Sequence, residues 1–414
     1  MPLQGFPHAL VFIVIVLSVL LNVLIQLMGV SLLFIQYFKK ISSNLLMVII
    51  SISITLIALE ITLKYTVGKP WVNSHKYSQE YGWVNKPGTS GWYLSEGKSY
   101  VNINSYGFND DEPTIIKPEK IYRVAVIGDS YVEALQVSRS SAFWNVLETK
   151  LNSNCNLLDK NNIEVIAFGV SAWGPAQELL LLEKLVLNFD PDLVMIMITT
   201  TNDIRNSSPV LETYKNRPFI LQTNNLITWD YSLVRAQNNF LKADVVLIED
   251  SHIYKWARLL AVSIKNIIYQ IANTEQIDAY LSPESNQVWA DAWKSTFIAL
   301  AKMHEKVTER GKPIIFVLGT DSEQLLSKEL IHSRDLDKEH RLYTPNKELI
   351  RFFKDEKMLY FDILENLSGL NWKEDFRYLH GSPPGWWGHW NSQGHSTVAK
   401  TLLPYVCSVI QRQN

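Results

Sequence analysis

Charged residues are missing from the first part of the chain. None of residues 1–38 is Asp, Glu, Lys or Arg, and after a Lys-Lys pair residues 41–59 are again uncharged. Both runs reach the roughly 20 residues needed to cross a hydrocarbon layer. A cleaved signal peptide would begin with basic residues and carry a shorter apolar run. The pattern therefore predicts two membrane helices, at about 9–38 and 41–63.

These helices form a predicted membrane hairpin over residues 1–69, and its lysines give a slight preference for one orientation. Lys39 and Lys40 fall in the predicted loop, which favours a cytoplasmic loop and an outward-facing remainder. Lys64, Lys69 and Lys76 follow the second helix and favour the reverse. The sequence thus predicts a two-pass protein of the cell membrane with an extracytoplasmic soluble part.

Other absences narrow the function. The only two cysteines, Cys155 and Cys407, lack metal-ligand spacing, and no Gly-rich phosphate loop is present, so we expect no metal and no cofactor. The two cysteines are free or form one disulfide, and they do not settle the compartment. With 39 basic and 41 acidic residues the net charge is −2, which gives no indication of nucleic-acid binding.

The soluble part divides into two stretches of different composition. Residues 70–120 are rich in Gly, Pro, Trp, Tyr and Asn, which favours short strands and loops packed on the following domain. Residues 121–414 alternate apolar runs of strand length with amphipathic stretches, apart from an insertion at about 205–286 with apolar helices around 253–272. The predicted strands are Tyr122–Ile127, Ile163–Phe168, Leu193–Thr199, Pro313–Leu318 and Leu359–Ile363. The predicted helices are Ala142–Leu151, Ala176–Phe189, Gln287–Thr308 and Gly394–Val409. This alternation predicts an α/β domain whose five-stranded, mainly parallel sheet is covered on both faces.

Polar residues follow the first three predicted strands directly. Ser130 comes after the first strand in Val126-Ile-Gly-Asp-Ser130, and a helix-compatible segment follows. A serine at this edge of a parallel sheet lies where such sheets bind ligands, and unpaired amides of the turn can hold an anion. Ala172 follows the second strand and Asn202 the third, so the Ala172 amide and the Asn202 side chain are candidate oxyanion donors beside the Ser130 amide. Asp203 is expected to cap a helix or brace a loop.

A second group of candidates lies near the carboxyl end. Gly388-His-Trp-Asn-Ser-Gln-Gly-His395 precedes the last predicted helix, and His389 is the candidate general base. Tryptophans crowd this region, and Trp387, Trp390 and Trp173 are candidates for lining the substrate site. Packing in the core is an equally good interpretation of any one of them.

Together these blocks resemble the SGNH (GDSL-type) hydrolase superfamily. The Gly128-Asp-Ser130 block, the Gly169–Gly174 turn, Asn202-Asp203 and His389 occur in the family's order, and the longer phrases are similar to a membrane-anchored bacterial subgroup. The resemblance implies a flavodoxin-like three-layer αβα sandwich and ester chemistry. It also implies Ser130 as nucleophile, His389 as base, and an oxyanion hole of Ser130, Ala172 and Asn202.

The chain departs from the family pattern before its histidine. The family places an aspartate two or three residues upstream, where this chain has Trp387 and Trp386. Either Ser130 and His389 work as a pair, or Asp375, Glu374 or Asp362 supplies the orienting acid. Loss of that acid can cost on the order of 10⁴ in rate.

The sequence therefore predicts a membrane-anchored serine esterase or O-acyltransferase that acts on acyl esters, with acetyl esters of a surface glycan as the expected substrate. The expected partners are that glycan, the membrane and a membrane-bound acyltransferase, but no nucleic acid. Two alternatives stay open, which are a catalytically degenerate glycan-binding protein and a subunit that assembles a membrane complex.

Overall fold

The computed structural model describes residues 17–21, 35–67, 75–155, 162–200, 202–223, 226–234, 251–257, 260–261, 264, 283, 285–320, 324, 343–367, 379–382 and 388–413. The chain divides into two compact units. The smaller unit contains residues 1–69 and 247–257, and the larger unit contains the rest.

The smaller unit is built on helix α1, Ile35–Thr62, which continues through one π-helical turn, Leu63–Val67. Its 23-residue stretch Asn44–Thr66 has a mean hydropathy of 2.4 and is long and apolar enough to cross a membrane. The sequence places Lys39 and Lys40 in a loop, but the structure has both inside α1, so that expectation is wrong. The first membrane helix is predicted at about 9–38. Residues 17–21 of it are helical and residues 35–38 belong to α1, and the others lie outside the described residues.

A contact within this unit ties part of the insertion to α1. The Glu60 carboxylate accepts hydrogen bonds from the backbone amides of His252 (2.5 Å) and Ile253 (3.0 Å). Because the first amides of a helix have no partner inside it, Glu60 caps the helical residues 252–257 from outside. The rest of the predicted apolar helices around 253–272 falls largely outside the described residues.

The larger unit alternates strands and helices as the sequence predicts. The strands are β1 (His75–Ser78), β2 (Gly82–Asn85), β3 (Ser90–Tyr93), β4 (Ser99–Asn102), β5 (Ile121–Gly128), β6 (Asn162–Gly169), β7 (Leu193–Thr199), β8 (Phe219–Thr223), β9 (Leu226–Asp230), β10 (Ile314–Gly319) and β11 (Leu359–Asp362). The helices are α2 (Ser130–Glu133), α3 (Phe143–Asn154), α4 (Pro175–Lys184), α5 (Asp203–Asn206), α6 (Gln287–Thr308), α7 (Thr344–Asp355), α8 (Ile363–Leu367) and α9 (Ser392–Gln411), with 3₁₀ turns at Arg139–Ser141 and Val186–Phe189.

Five strands form the central sheet in the order β11-β10-β7-β5-β6, and all four pairings are parallel. When these five strands are numbered along the chain and the order is given starting from β6, it is the 2-1-3-4-5 of flavodoxin-like sheets. The order reverses direction between β5 and β7, and a crevice at the carboxyl ends of the strands is the usual ligand site there. The predicted five-stranded parallel sheet is confirmed.

The sheet is buried on both faces, which explains its nearly continuous apolar strands. Along β5, Val124 and Val126 point to one core and Ala125 and Ile127 to the other. Side chains of α3, α8 and α9 complete the first core, and those of α4, α6 and α7 the second. The larger unit is therefore a three-layer αβα sandwich.

The Gly- and Trp-rich segment forms two antiparallel hairpins, β1–β2 and β3–β4, which belong to the larger unit. Hydrogen bonds of its side chains connect the Gly- and Trp-rich segment to the sheet domain. The Asp110 carboxylate accepts the Ala167 amide on β6 (2.9 Å), and the Trp83 indole donates to the Ser171 carbonyl (3.2 Å). In the insertion, β8 and β9 form another hairpin, whose Ile220 carbonyl accepts from Ser295 on α6 (2.8 Å).

Gly169, the last residue of β6, leaves no room for a side chain. A Cβ there would lie 2.2 Å from the Glu133 amide nitrogen, which belongs to the backbone of α2. We expect Gly169→Ala to push the β6 end away from α2 and to cost about 3 kcal/mol in the free energy of unfolding, the upper end of overpacking costs. Chemical unfolding of the full-length chain in detergent measures this cost.

Gly311→Ala is the matched control for Gly169→Ala. Gly311 has a φ of +69° and nothing within 4 Å of its Cβ position. Its substitution should cost only the roughly 1 kcal/mol of a left-handed alanine. If the two variants lose equal amounts of unfolding free energy, the close approach of α2 to β6 is contradicted.

Candidate active site

Ser130 stands at the junction of β5 and the short helix α2. Asp129 caps this helix, with its carboxylate accepting the Tyr131 amide at 3.0 Å. Since Ser130 is the first helical residue, its amide has no acceptor within the helix and is available to a ligand. The turn thus presents a hydroxyl and a backbone donor together at the carboxyl edge of the sheet.

The Ser130 hydroxyl begins a chain of two hydrogen bonds. Its Oγ lies 2.7 Å from Nε2 of His389, and Nδ1 of the same imidazole lies 2.5 Å from Oε2 of Glu96. The His389 side chain is 30% exposed and that of Glu96 27%, so a substrate can reach the histidine. Serine, histidine and carboxylate are connected in the way a catalytic triad requires.

His389 is held by a loop that folds back on itself before α9. The His389 carbonyl accepts the Gly381 amide at 3.0 Å, and the Leu379 carbonyl accepts the Asn391 amide at 2.9 Å. Gly388 has a φ of +136°, and a Cβ there would lie 2.7 Å from Oε1 of Glu96. Glycine at 388 therefore allows the Glu96 carboxylate to approach the histidine.

Glu96 comes from the turn between β3 and β4, in the segment that precedes the sheet. Ser99, the first residue of β4, donates its hydroxyl to the Leu135 carbonyl just after α2. Gly97 lies so close to this loop that a Cβ would meet the Gln136 carbonyl oxygen at 2.3 Å. The hairpin therefore docks beside the nucleophile helix and carries its acid to the histidine.

The carboxylates around His389 determine its protonation. Burial lowers the pKa of His389, but the charge and hydrogen bond of Glu96 outweigh burial, and with Asp129 and Glu133 they raise that pKa to about 9. For Glu96, burial raises the pKa, and the interactions with His389 bring it below its ordinary value. The resting pair is therefore an imidazolium and a carboxylate at neutral pH.

The other candidate oxyanion donors follow β6 and β7. The Asn202 side-chain amide donates to the Asp129 carboxylate at 3.0 Å, which fixes Asn202 beside the residue that precedes Ser130. Asp203 accepts the Thr199 amide at 2.7 Å and so braces this loop, as the sequence predicts. Ala172 lies in the turn after β6 with a φ of +61°. Among the described residues, Ser130, Ala172 and Asn202 all lie on turns at the carboxyl ends of neighbouring strands.

Two tryptophans predicted to line the substrate site lie in the core instead. Trp173 is 1% exposed, stacks on Tyr81 and donates its indole N–H to the Trp83 carbonyl (3.0 Å). Trp390 is also 1% exposed and packs against Tyr131. Both expectations are wrong, because the large rings fill the core beneath the turns. Trp387 lies outside the described residues.

The acids proposed from the sequence do not include the one found. Asp362 is wrong as the orienting acid, because it ends the edge strand β11 and accepts from Asn346 and the Leu364 amide, both at 3.0 Å. Three strand spacings separate β11 from β5, which is about 14 Å. Asp375 and Glu374 lie outside the described residues. Glu96 was detectable, since it is the only carboxylate between Glu80 and Asp110 in a segment already expected to pack on the domain.

His395, the other histidine of the sequence block, serves the core. Its Nδ1 accepts the Phe143 amide at 3.1 Å, its side chain is fully buried, and burial lowers its pKa to about 3. A neutral, buried imidazole bonded to backbone has a packing role. The two histidines of the block therefore divide into one site residue and one core residue.

The chain is similar to several solved structures. It is 13% identical to TesA, with a TM-score of 0.35 over 69% of this chain and 99% of that one. It is also 13% identical to a catalytic mutant of Axe2, an acetylxylan esterase from Geobacillus stearothermophilus (TM-score 0.37, 71% and 96% covered). For a protein of the G-D-S-L family from Desulfitobacterium hafniense the identity is 12% (TM-score 0.35, 70% and 99% covered). No family model and no curated protein matches the chain.

The Glu96–His389 pair predicts an unusual pH dependence. A general base must be neutral, so kcat/KM for an ester should rise with pH up to the raised pKa of about 9. Glu96→Gln removes the charge that raises the pKa, and the inflection should move towards the ordinary value near 6.5. The plateau should also fall by about 10²–10⁴, because the imidazole loses its orienting partner.

A pH–rate profile of both proteins measures the two effects. Glu112→Gln is the control, since this exposed carboxylate bonds to Ser105 rather than to a histidine. An inflection that stays in place in Glu96→Gln would mean that another group sets the histidine pKa.

Proposed function

We propose that this protein is a membrane-anchored serine esterase or O-acyltransferase that works through an acyl-serine intermediate. The proposal rests on one observation, the continuous chain from Ser130 through His389 to Glu96 at 2.7 and 2.5 Å. Serine is a weak nucleophile unless an adjacent base takes its proton. The three side chains are arranged to do that.

In the first half of the reaction His389 takes the Ser130 proton on Nε2 while Oγ attacks the carbonyl carbon of the ester. The negative charge that develops on the carbonyl oxygen is received by the amides of Ser130 and Ala172 and by the side chain of Asn202. Glu96 keeps Nδ1 protonated and stabilises the imidazolium that forms. Collapse of the tetrahedral intermediate breaks the ester bond, and the leaving alkoxide takes the proton from Nε2.

In the second half water or an alcohol attacks the acyl carbon of the acyl-serine while His389 accepts its proton on Nε2. The bond between the acyl carbon and Ser130 Oγ then breaks, and Oγ takes the proton back from Nε2. If water attacks, the products are a free acid and Ser130, and the enzyme is an esterase. If a sugar hydroxyl attacks, the acyl group is transferred. The same side chains serve both outcomes, so the acceptor alone decides the reaction class.

A disulfide supports an extracytoplasmic position of the catalytic unit. Cys155, at the end of α3, is bonded to Cys407 in α9, across 252 residues of sequence. Disulfides persist in oxidising compartments and are rare in the cytosol. With the apolar stretch Asn44–Thr66, this favours a protein anchored in the cell membrane whose site faces outward.

An outward-facing site favours a glycan as the substrate. Surface glycans offer both acetyl esters and free hydroxyls at the membrane exterior, which fits either reaction class. A membrane-bound acyltransferase partner would supply the acyl group if transfer is the reaction. The degenerate-protein alternative loses its main support, because Glu96 occupies the place of the acid that the sequence block lacks.

Substitution of the reacting pair tests the proposal. In full-length protein purified in detergent, Ser130→Ala and His389→Ala should each lower turnover of an aryl acetate by at least about 10³-fold. Wild type should also be labelled on Ser130 by a serine-directed fluorophosphonate. Ser140→Ala on the surface and His304→Ala on α6 are the matched controls and should behave as wild type.

A wild type without activity would also decide between the alternatives. If wild type neither turns over the ester nor reacts with the fluorophosphonate, the chemistry proposed for Ser130 fails. Deletion of residues 1–69 then tests the assembly alternative, which requires cellular function to depend on the membrane unit.

The state of the two thiols tests the orientation. Full-length protein extracted from cells in N-ethylmaleimide without reductant should carry no adduct on Cys155 or Cys407, as judged by mass spectrometry. Reduction before alkylation should add two. In Cys155→Ser the remaining Cys407 should be alkylated, which controls for its accessibility. Adducts on both wild-type cysteines without reduction would place the catalytic unit in a reducing compartment.

A further inference from the structure

Glu133 is a buried carboxylate that bonds to three hydrogen-bond donors beside the site. It is the last residue of α2, the helix that Ser130 begins, and only 1% of it is exposed. Its Oε1 accepts from the Asn85 side chain (2.7 Å). Its Oε2 accepts from both the amide (2.9 Å) and the hydroxyl of Ser171. The carboxylate therefore connects the nucleophile helix to β2 and to the turn after β6.

That turn contains a strained residue. Ala172 follows Ser171 directly and has a φ of +61°, the left-handed region, which costs a residue with a side chain roughly 1–2 kcal/mol. Such a conformation persists only where neighbouring contacts determine it. On one side Ser171 is bonded twice to Glu133, and on the other the Trp173 amide donates to the Val170 carbonyl at 3.2 Å. The turn is thus fixed at both ends around Ala172.

We propose that Glu133 is a positioning residue for the oxyanion hole, which acts by holding Ser171 so that the Ala172 amide points at the developing oxyanion. The inference rests on the proposed function. A carboxylate suits this task because all three partners donate. A glutamine would place an N–H₂ group against either Asn85 or Ser171, and one bond would become a repulsion between donors.

Glu133 also connects the turn directly to the nucleophile. Ser130 and Glu133 lie on one helical turn, and the Glu133 amide lies 2.2 Å from the Cβ position of Gly169, at the start of the same β6–α4 connection. A shift of the turn relative to α2 therefore changes the distance between the attacking oxygen and the Ala172 donor. Misplacement of about 1 Å can cost on the order of 10²-fold in rate.

The test substitutes Glu133→Gln in the full-length chain and uses two readouts. Amide hydrogen exchange of the peptide over residues 170–174 should become faster, because a glutamine cannot accept from Asn85 and Ser171 together and the connection that holds the turn is weakened. The kcat for an aryl acetate should fall by about 10–100-fold with KM within about threefold, since an interaction of the transition state is weakened. Inhibition by a boronic acid, whose adduct with serine resembles the tetrahedral intermediate, should weaken by the same factor as kcat/KM.

Glu148→Gln is the control variant. Glu148 is also a carboxylate that accepts a backbone amide, that of Val165 at 2.6 Å, but it lies on α3 away from the turn. It should leave exchange at 170–174, kcat and boronate inhibition unchanged. A measurement of Tm for both variants separates global loss of stability from a local change.

Two results would overturn the inference. One is unchanged exchange at 170–174 in Glu133→Gln, which would show that the carboxylate does not hold the turn. The other is a loss of kcat with unchanged boronate inhibition in folded protein, which would assign Glu133 a role outside the oxyanion hole. If the wild type neither turns over the ester nor binds the boronic acid, the proposed function is overturned instead. Amide hydrogen exchange at 170–174 then still shows whether Glu133 holds Ser171.

Discussion

The hydrogen bond between Glu96 and His389 joins two parts of the chain that are 293 residues apart. Its donor and acceptor come from a loop before the last helix and from a hairpin before the first strand of the sheet. Neither partner is placed by the sheet itself. The Glu96 carboxylate can reach the imidazole only if the hairpin is docked, so this hydrogen bond depends on the packing of β3–β4 against the loop after α2.

The remaining site residues depend on the sheet. Parallel strands end at one edge, so the turns after the adjacent strands β6, β5 and β7 place Ala172, Ser130 and Asn202 along the same edge of the sheet. Asp129 and Glu133 then bond these turns to one another from either end of α2. Both carboxylates also raise the pKa of His389, so the groups that fix the geometry also favour the imidazolium formed in the reaction.

Sequence patterns predict the structure correctly where neighbouring residues alone determine it. Period and composition gave the five strands of the sheet within about two residues, and residues placed directly after strands fell where a parallel sheet puts them. The rules failed where tertiary contacts decide. Glu96 stands out as the only carboxylate of the β3–β4 hairpin, but no local pattern pairs it with His389. The burial of Trp390 beneath Tyr131 likewise depends on tertiary contacts. The charges of Lys39 and Lys40 indicate a loop between two apolar helices. Lysine is a good helix former, however, and both residues lie in α1.

The origin of Glu96 changes where the catalytic domain begins. By alternation of strands and helices the domain starts at β5, and the composition of the preceding Gly- and Trp-rich segment predicts only that it packs on that domain. The structure gives this segment two hairpins, several hydrogen bonds to β6 and its turn, and the acid of the site. A chain cut at Ile121 would keep the complete sheet, the nucleophile and the histidine but would lose the acid. The unit that contains the candidate site therefore begins before β1, and the segment after α1 is part of it.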